Sequence, residues 1–560
     1  MKALKKIDTT ANYFNDQNFL GIFREIFQDS FTEFAAKLDI ISARHSRNLH
    51  WWVSLTASRN VIKSSLYREF CIIKAIQRMH HSNNQSFEYI ISSNYLKEAI
   101  IFSMSEDYPK LIVKKKNIFS YQKFKEFIRP KFYFFNKLIH ILLIRIQFSK
   151  PIPFNSLTLA ETFVSPNQDL NRYYPNFHKF LKPQLQNKIL FVPTIINTSF
   201  LEIFKLLNKI SSDNKKYFFR ESFLNIFDLF EAIQYRKRIN KLNIQSVFDE
   251  QNQSTNDLEI LVSGFLKAEP FNSMSAEGIL NFQFIKKLKL QNYSNISTFV
   301  DWWENTPMDK GLNIALKLFY PKLKSIGYMG FVPNQLSFEL SPTKQESISK
   351  VLPDTIGVIG EEFLPILTRC NPHIDGFVAP AFRFTYLEDF VAGCKKHFLV
   401  LPSIDRSEWR ELQKIIFSIA DEFAEVKFII KPHPGMGKFK NITSLPNIEI
   451  DNFSDVRKLI KDAEILITST SSAAMEAIAI SIPTFIYQSL DPIPRNVIPS
   501  SIDQSFWNSF SNNDDLSHKI KELRNESCNP NDVKNAIKLS KYFNAPNEKD
   551  VLSFFFSKYE

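Results

Sequence analysis

The sequence predicts an α/β protein built from parallel sheets that helices cover on both faces. Short apolar runs alternate with amphipathic segments, which is the pattern of strands buried in such sheets. The chain has 560 residues, enough for more than one domain, and its 44% hydrophobic content can fill sizeable cores. In the C-terminal half, two of the apolar runs end in loops rich in Lys, His and Ser. These observations predict two α/β domains, the second with an anion-binding sheet edge.

The net charge of +12 is compatible with nucleic acid, an anionic membrane or an anionic substrate as partner. Four cysteines (Cys71, Cys370, Cys394 and Cys528) lie far apart without CxxC spacing, which fits a reducing cytoplasm and no zinc site. The N-terminus lacks the apolar core of a signal peptide, and no apolar run reaches 18 residues. We therefore expect a cytoplasmic protein without a transmembrane helix.

The predicted first domain covers residues 1–340 and begins with a helical stretch over 1–36. Buried apolar runs in this domain read as strands: LDIIS, SFEYIIS, KILFVPTII, LEILVSGFL and KSIGYMGFV. Residues 217–240 have helical periodicity, and STFVDWWENTPMDKGLNIALKLFY places a loop before a helix.

Residues 113–150 differ from the rest of the first domain. They hold many Lys and Arg and a single acid, Glu126, and aromatic and aliphatic residues lie between the basic ones. A basic amphipathic helical insertion of this kind suits an anionic membrane interface. The alternative is an insertion that packs on its own domain with a solvated basic face. Nucleic acid is disfavoured, because no known reader motif accompanies the charge.

The predicted second domain covers residues 341–545, followed by a C-terminal tail at 546–560. Its strands are predicted at DTIGVIG, HFLVLPS, VKFIIKPHP, IEIDN, AEILITS and PTFIYQ. Segments with helical periodicity, such as SEWRELQKIIFSIADEF, separate them. Strands that alternate with helices in this way predict a parallel sheet.

The loop after FIIK carries the first candidate site. His433 lies between two prolines, which stiffen the turn, and Lys431 directly precedes them. A stiff loop at a strand end can direct an imidazole and an ammonium at a phosphate or a leaving group. The alternative for His433 is a structural loop histidine.

The loop after AEILIT carries the second candidate site, Ser469-Thr470-Ser471-Ser472, with a predicted helix directly behind it. Hydroxyls and free N–H groups at such a junction suit an anion, although one of them would serve as a helix cap. Glu476 could contact a ribose or sugar hydroxyl, or only favour the helix dipole. Ser403, at the end of HFLVLPS, could reach the same crevice or belong to an ordinary turn.

Two acids in the first domain are candidates for a general base. Glu304 and Asp309 follow Trp302-Trp303, and a carboxylate facing the cleft could deprotonate an acceptor hydroxyl. The alternative is a surface acid paired with Lys310. Arg383 could neutralise a phosphate or a substrate carboxylate, or form an interdomain ion pair.

Several common motifs are absent from the sequence: a P-loop, GxGxxG, HExxH, zinc-ligand spacing and the GxSxG elbow. Their absence disfavours kinases, dehydrogenases, metallohydrolases and α/β-hydrolases. No Asp-x-Asp pair adjoins the candidate loops, so we expect neither a metal nor a cofactor.

The second half of the chain resembles the nucleotide-binding half of GT-B glycosyltransferases. His433-Pro434 and Ser471-Ser472 are similar to the His-Pro and Ser-Ser motifs of bacterial sialyltransferases, polysialyltransferases and capsule Kdo transferases. CDP-glycerol glycerophosphotransferases have comparable His-Pro loops. WWENTPMDKG, IGYMGF, LPDTIGVIG and APAFRF also look like a group of surface-carbohydrate (O-antigen) biosynthesis proteins. Ser481 departs from the pattern, since glycine is common there before Ile-Pro.

The resemblance implies a GT-B architecture: two Rossmann-like domains that face each other across a cleft. It implies a metal-independent glycosyltransferase of surface polysaccharide or lipopolysaccharide synthesis, with a CMP-activated nonulosonic acid or Kdo as donor. The first domain would bind the acceptor, a free or lipid-linked glycan, at the inner face of the plasma membrane. Alternatives are a CDP-glycerol-type glycerophosphotransferase, a UDP-sugar 2-epimerase-like enzyme and a non-catalytic scaffold of glycan assembly.

Overall fold

The structure is a computed structural model of the 560-residue chain. It describes residues 5–10, 14–82, 87–104, 108–114, 120–148, 157–166, 168–196, 198–242, 256–334, 336–387, 396–433, 436–439, 445–488, 493, 496–525 and 539–556.

The strands of the described residues are β1 (Lys5–Asp8), β2 (Phe87–Ile91), β3 (Lys110–Val113), β4 (Leu157–Val164), β5 (Ile189–Ile195), β6 (Ile296–Trp302), β7 (Lys324–Met329), β8 (Thr355–Val358), β9 (Gly376–Val378), β10 (His397–Leu401), β11 (Phe428–Ile430), β12 (Ile448–Ile450), β13 (Ala463–Thr468), β14 (Thr484–Tyr487) and β15 (Trp507–Phe510).

The helices of the same residues are α1 (Gln17–Asp29), α2 (Phe31–Ala43), α3 (Leu49–Trp52), α4 (Leu55–Ser58), α5 (Leu66–Ser82), α6 (Asn94–Met104), α7 (Ser120–Gln147), α8 (Pro183–Gln186), α9 (Glu202–Ser211), α10 (Ile226–Ile239), α11 (Asn256–Ala268), α12 (Ser273–Leu290), α13 (Pro307–Phe319), α14 (Lys344–Ile348), α15 (Leu364–Thr368), α16 (Arg406–Glu422), α17 (Val456–Lys461), α18 (Ala473–Ala479), α19 (Asn513–Asn525), α20 (Leu539–Tyr542) and α21 (Glu548–Phe555).

The C-terminal sheet has six parallel strands in the order β12-β11-β10-β13-β14-β15. This is the Rossmann order, in which the direction of winding reverses between the first strand of the domain and the fourth. Here those strands are β10 and β13. Ligands of doubly wound sheets bind at the carboxyl ends of the strands flanking this point, so the fold directs attention to the loops after β10 and β13.

The N-terminal sheet is also six-stranded and parallel, in the order β5-β4-β6-β7-β8-β9. Two parallel, doubly wound sheets confirm the predicted α/β class with two Rossmann-like domains, the GT-B architecture. The predicted boundary at residue 340 does not coincide with the change of sheet. Thr355–Val358 pairs with β7, and Gly376–Val378 pairs with β8. The apolar run DTIGVIG fits either sheet, and only the pairing assigns it.

Two apolar runs predicted as strands are helical. LDIIS lies within α2 and LEILVSGFL within α11. The buried side chains of α2 recur every three or four residues from Phe31 to Ile41, which is a helical period. A short run read alone does not show its period, and the neighbouring residues decide it. The N-terminal region thus forms a helical layer around a three-stranded parallel sheet, β1-β2-β3.

Within the basic segment, Ser120–Gln147 forms one long helix, α7, with Pro130 inside it, and Val113 ends β3. Residues 115–119 and 149–150 of this segment lie outside the described residues. Across the described part of the chain, no helix combines the length and the apolar character needed to cross a bilayer.

The C-terminal end of the chain returns to the N-terminal domain. Thr158 Oγ1 donates to the carbonyl oxygen of Phe555 at 2.6 Å, and the rings of Phe554 and Tyr328 lie 5.0 Å apart. Residues 546–560, predicted as a tail, therefore contain a helix that belongs to the N-terminal core. Near this return, the Ala381 N–H donates to the carbonyl oxygen of Asn544 at 2.8 Å. Ala381 and Asn544, which flank the C-terminal domain in the sequence, are thus bonded to each other; residues 388–395 and 526–538, which lead to and from that domain, lie outside the described residues.

Two glycines allow the helices α12 and α13 to pack closely against each other behind the cleft. A Cβ on Gly311 would lie 2.1 Å from the carbonyl oxygen of Gly278, and a Cβ on Gly278 would lie 2.3 Å from that of Pro307. Because neither position has room for a side chain, α12 and α13 can pack directly against each other. This packing fixes the start of α13, which carries one of the candidate acids.

Candidate functional site

The loops after β10 and β13 meet at the switch point, as the strand order requires. Ser403 is buried, donates to Glu408 Oε2 and accepts from the Asp405 N–H at 3.2 Å. Thr470 Oγ1 donates to the same carboxylate oxygen at 3.5 Å. The hydroxyl of Ser403 thus contacts Glu408, at the start of α16, and helps tie the two loops together.

The serines of the second loop have different environments. Ser469 is buried, and its Oγ lies among the described polar atoms that have no hydrogen-bond partner. Ser471 Oγ accepts from the Ala473 N–H at 3.4 Å, as a cap would. Ser472 occupies the N-cap position of α18 but makes no side-chain cap bond. Helix capping therefore accounts for the Ser471 hydroxyl, while the hydroxyls of Ser469 and Ser472 can still make hydrogen bonds to a ligand.

Lys431 and His433 follow β11, the strand next to β10; Pro434 lies outside the described residues. Burial lowers the pKa of Lys431, and Asp451 partly offsets this effect. Burial, followed by the positive charge of Arg172, lowers the pKa of His433. The imidazole is therefore neutral near pH 7, so one ring nitrogen can donate a hydrogen bond to a phosphate oxygen.

Three arginines from separate segments converge around Glu476. Arg172 follows β4, Arg383 lies in the crossing segment, and Arg457 lies on α17. Burial and the charge of Arg383 lower the pKa of Arg172, whereas Glu476 acts in the opposite direction. Burial raises the pKa of Glu476, although the hydroxyl of Tyr386 donates to this carboxyl and the arginines oppose the rise. Arg457 also pairs with Asp455 at 3.2 Å, so two carboxylates face three guanidinium groups, and the excess positive charge suits an anion.

A chain of contacts connects these arginines with the N-terminal sheet. The guanidinium of Arg383 lies 5.8 Å from the ring centroid of Trp302, and Trp302 Nε1 donates to Glu304 Oε1 at 3.3 Å. Burial raises the pKa of Glu304, which makes its carboxylate a stronger base than a solvated one. Glu304 is only partly buried and lines a cavity. Its position fits the predicted general base.

Hydrogen bonds hold the turn that carries Glu304 in a left-handed backbone conformation. Asn305 has φ = 51°, a left-handed conformation uncommon for any residue but glycine. Its side chain donates to the carbonyl oxygen of Glu339 at 2.7 Å and to Glu346 Oε1 at 3.2 Å. Because buried hydrogen bonds enforce this conformation, the direction of Glu304 is fixed by the fold.

Asp309 is buried and acts as a helix cap. Its Oδ2 accepts from the Thr306 N–H at 2.6 Å, from Thr306 Oγ1 at 3.0 Å and from the Glu304 N–H at 3.2 Å. The alternative pairing with Lys310 does not occur, since Lys310 is buried against Glu346 at 2.7 Å. Asp309 thus positions the loop of Glu304, and its carboxylate is occupied by internal donors.

Three buried carboxylates lie together behind this loop. Glu161, Asp301 and Asp309 each have an oxygen within 4.8 Å of the others, and Glu161 accepts from Thr194 Oγ1 at 2.7 Å. Burial and the charge of Asp309 raise the pKa of Asp301 well above its usual range. The group can hold shared protons, and it is also a set of oxygen donors that a hard cation could use. Metal independence stays a prediction.

A cavity of about 980 Å³ opens at the carboxyl ends of β4, β5 and β6, beneath α7. Aromatic side chains form its walls, and the ring centroids of Tyr173 and Trp302 lie 4.4 Å apart. Glu304 and Asp309 line one side. Apolar rings beside a few fixed polar groups are typical of small-ligand sites.

The opposite side of the cavity holds a buried ionic network. Lys137 Nζ lies 2.7 Å from Glu277 Oε1, and Arg220 pairs with the other oxygen. Burial alone would raise the pKa of Glu277, but Arg220 and Lys137 outweigh it and lower the pKa to about 2. Burial lowers the pKa of His140 to about 3, and neither of its ring nitrogens has a hydrogen-bond partner within the described structure. His140 can therefore give one donor and one acceptor to a bound group.

The sequence alone indicated the candidate site residues that lie close to one another in the chain, within single loops. It did not indicate the following residues, which tertiary structure brings to the site: Arg172, Arg457, Glu408, Glu161, Asp301 and His140. None of them belongs to a recognisable local motif. The one available signal was position, since Glu161 and Asp301 lie on β4 and β6, near the strand ends that doubly wound sheets use for ligands.

Comparisons with known proteins gave structural neighbours only: no family model and no curated protein matches the chain. A UDP-GlcNAc 2-epimerase from Methanocaldococcus jannaschii, with bound UDP-GlcNAc and UDP, has a TM-score of 0.38 and 13% identity; the match covers 69% of this chain and 100% of that one. The corresponding enzyme from Rickettsia bellii has a TM-score of 0.41 at 13% identity, over 72% and 97%. The calicheamicin glycosyltransferase CalG4 has 0.38 at 11% identity, over 72% and 95%. The fold assignment itself rests on the strand orders of this chain.

Proposed function

We propose that the protein is a glycosyltransferase that takes a sugar from a nucleotide donor and passes it to a glycan acceptor. The observation that carries this proposal is the convergence of Arg172, Arg383 and Arg457 with His433 beside the switch point. Such a concentration of positive charge suits the phosphate of a nucleotide sugar. Lys431, Ser469 and Ser472 supply further donors for it.

The acidic side of the cleft supports a transfer step. The acceptor hydroxyl would give its proton to Glu304 as its oxygen bonds to the anomeric carbon. At the same time the bond from that carbon to the donor phosphate oxygen breaks, and the phosphate keeps the electron pair. His433 and Arg172 would stabilise the charge that develops on the leaving phosphate.

The cavity favours a transferase over a sugar-nucleotide 2-epimerase, because an epimerase needs no acceptor. A volume of about 980 Å³ beside Glu304 offers room for a sugar unit or more, in addition to the donor site. Trp302 and Tyr173 line this cavity and give it an aromatic wall, which suits packing against the apolar face of a sugar. For the donor we favour a CMP-activated nonulosonic acid or Kdo, based on the resemblance of the His-Pro and Ser-Ser loops, and a place in surface-polysaccharide synthesis.

The test is calorimetric titration of the full chain with CMP, CDP and UDP and their sugars, followed by product analysis with and without a glycan acceptor. We expect binding of one nucleotide class, and the His433→Ala variant should lose turnover while its circular dichroism is unchanged. Turnover at the wild-type rate in that variant would contradict the proposed role of His433. Conversion of the donor sugar without an acceptor would identify an epimerase, and absence of all nucleotide binding would favour a scaffold.

A further inference from the structure

Helix α7 exposes a row of large apolar side chains. They recur at spacings of three, four and seven residues, so they form one stripe along the helix rather than a ring around it. Phe127 is 63% exposed, Phe132 62% and Ile146 82%. The complete set on α7 is Phe124, Phe127, Ile128, Phe132, Phe135, Leu142 and Ile146. An exposed apolar stripe of this size on a folded domain marks an interaction surface.

Two neighbouring helices extend the stripe. Phe134 of α7 lies 4.8 Å from the ring of the partly exposed Phe230 on α10, and Asn136 Nδ2 donates to the carbonyl oxygen of Thr198 before α9 at 3.0 Å. The starts of these helices add further exposed apolar residues: Phe200, Leu201, Phe204, Ile226, Phe227 and Phe230. We call the combined set the α7 surface. It contains more than half of the large apolar side chains that the described residues expose.

The exposed charges on this surface are positive. Lys131 Nζ lies 3.5 Å from the ring centroid of Phe127, and Arg145 and Lys205 are exposed nearby.

The acids of the same helices face inward or are occupied. Glu126 accepts from the Phe271 N–H at 3.1 Å, Asp228 pairs with Lys287, and Glu202 caps its own helix through Ser199. Glu231 of α10 pairs with Arg238 at 3.1 Å. A surface that combines exposed aromatics with cations, and whose acids are engaged by internal partners, is complementary to an anionic bilayer.

The α7 surface also borders the cavity. Ile128, Arg129 and Phe132 line the cavity and are exposed to solvent at the same time. The cavity edge and the apolar stripe are therefore formed by the same turns of one helix.

We propose that the α7 surface docks on an anionic lipid bilayer and brings the edge of the cavity to the lipid headgroups. At 1.5 Å per residue, the 28 residues of α7 extend about 42 Å, long enough to lie along the membrane plane. An acceptor carried on a lipid would then enter the cavity past Ile128 and Phe132. The docking stands on the surface alone, whereas the acceptor route rests on the proposed sugar transfer.

The experiment is cosedimentation of the full chain with vesicles of phosphatidylglycerol and phosphatidylcholine, against vesicles of phosphatidylcholine alone. We expect binding to the anionic vesicles that weakens with salt. The triple variant Phe127→Ser, Phe135→Ser, Ile146→Ser avoids every residue that lines the cavity, and it should lower the partition coefficient more than about tenfold. A matched triple variant, Leu290→Ser, Leu318→Ser, Ile348→Ser, removes equally exposed apolar side chains elsewhere and should bind like the wild type.

Each outcome decides the docking claim. Absence of binding to anionic vesicles, or an equal loss in both triple variants, would overturn it. Sedimentation velocity without vesicles tests the other occupant, a second copy of this chain. A concentration-dependent dimer that only the α7 variant abolishes, together with weak vesicle binding, would assign the surface to self-association. Nucleotide binding by calorimetry, expected to be unchanged in both variants, reports separately on the proposed function.

Discussion

The two sheets present opposite chemistry to the cleft. At the carboxyl ends of β4 and β6 lie carboxylates that internal donors already occupy: Asp309 caps α13, and Glu161 accepts from Thr194. At the ends of β10 and β13 the buried Ser469 Oγ has no hydrogen-bond partner within the described residues. One buried oxygen at the acidic edge, Asp301 Oδ1, likewise has no hydrogen-bond partner among the described residues. The two edges therefore differ mainly in charge, because buried carboxylates collect at one and guanidinium groups at the other. In the proposed function, the basic edge would hold the anionic donor and Glu304 at the acidic edge would act as the base.

The largest expected effect comes from replacing the proposed general base at the acidic edge. Glu304→Gln should lower turnover by about 10²- to 10⁴-fold, because the amide cannot accept the acceptor's proton. Its stability should stay near that of the wild type, since Gln Oε1 can still accept from Trp302 Nε1. Steady-state rates and thermal melting measure the two effects.

Asp309→Ala is the contrasting variant, because it removes the cap of α13 and should destabilise the fold by about 0.5–2 kcal/mol. The assignment of the base is reversed if the Asp309 variant loses turnover at unchanged melting temperature while Glu304→Gln stays active.

The second effect tests the basic edge. Arg172→Gln should weaken nucleotide binding by roughly 10- to 100-fold, the loss expected for a charge-assisted hydrogen bond. It should also raise the pKa of His433, because the charge of Arg172 helps to hold it down. Calorimetry measures the loss of nucleotide binding, and proton NMR titration measures the pKa of His433. Arg78→Gln, at an exposed ion pair with Glu25, is the control, and equal losses in the two variants would discount the site.

The third effect concerns pH and the polar side of the cavity. His140 has a folded-state pKa of about 3 and an unfolded value near 6.5, so only the unfolded chain binds its proton between these values. The free energy of unfolding therefore decreases as the pH falls below 6.5, and at pH 5 the decrease due to His140 is about 2 kcal/mol. Urea unfolding at pH 7.5 and 5 should show that His140→Gln loses less stability than the wild type over this range. Identical pH dependence in the two proteins would contradict the buried neutral histidine.

The smallest effect concerns the C-terminal end of α18, the helix that begins at the basic edge. Ser481 has φ = 63°, and the Ile482 N–H closes the helix on the carbonyl oxygen of Ala477 at 2.9 Å. Glycine adopts this conformation without strain, so Ser481→Gly should raise the unfolding free energy by about 0.5–1 kcal/mol. Chemical denaturation checks it. Ser481→Ala keeps the Cβ and should give no gain; a gain there would mean that the backbone is not the cause.

The C-terminal sheet was more predictable than the N-terminal one. β10, β11 and β13 contain the apolar runs FLVL, FII and ILI, and each strand is followed directly by a polar loop, so strand and site occur in one stretch of sequence. LDIIS and LEILVSGFL are equally apolar but helical, because the spacing of more distant apolar residues decided their form. The acidic group could not be read locally, since Glu161 and Asp301 lie on strands that a long stretch of chain separates. The roles predicted for Ser403, Lys431, His433 and Glu476 remain predictions.

Backbone hydrogen bonds hold Ala381 and Asn544, which flank the C-terminal domain in the sequence, side by side at the N-terminal sheet. Ala381 follows β9, Asn544 follows α20, and the Asn544 N–H also donates to the carbonyl oxygen of Ile359, directly after β8, at 2.7 Å. Because the chain leaves the N-terminal domain and re-enters it at neighbouring points, we expect any hinge motion between the domains to turn about this region. Such a motion would change the distance between Glu304 and His433 while each keeps its own loop geometry.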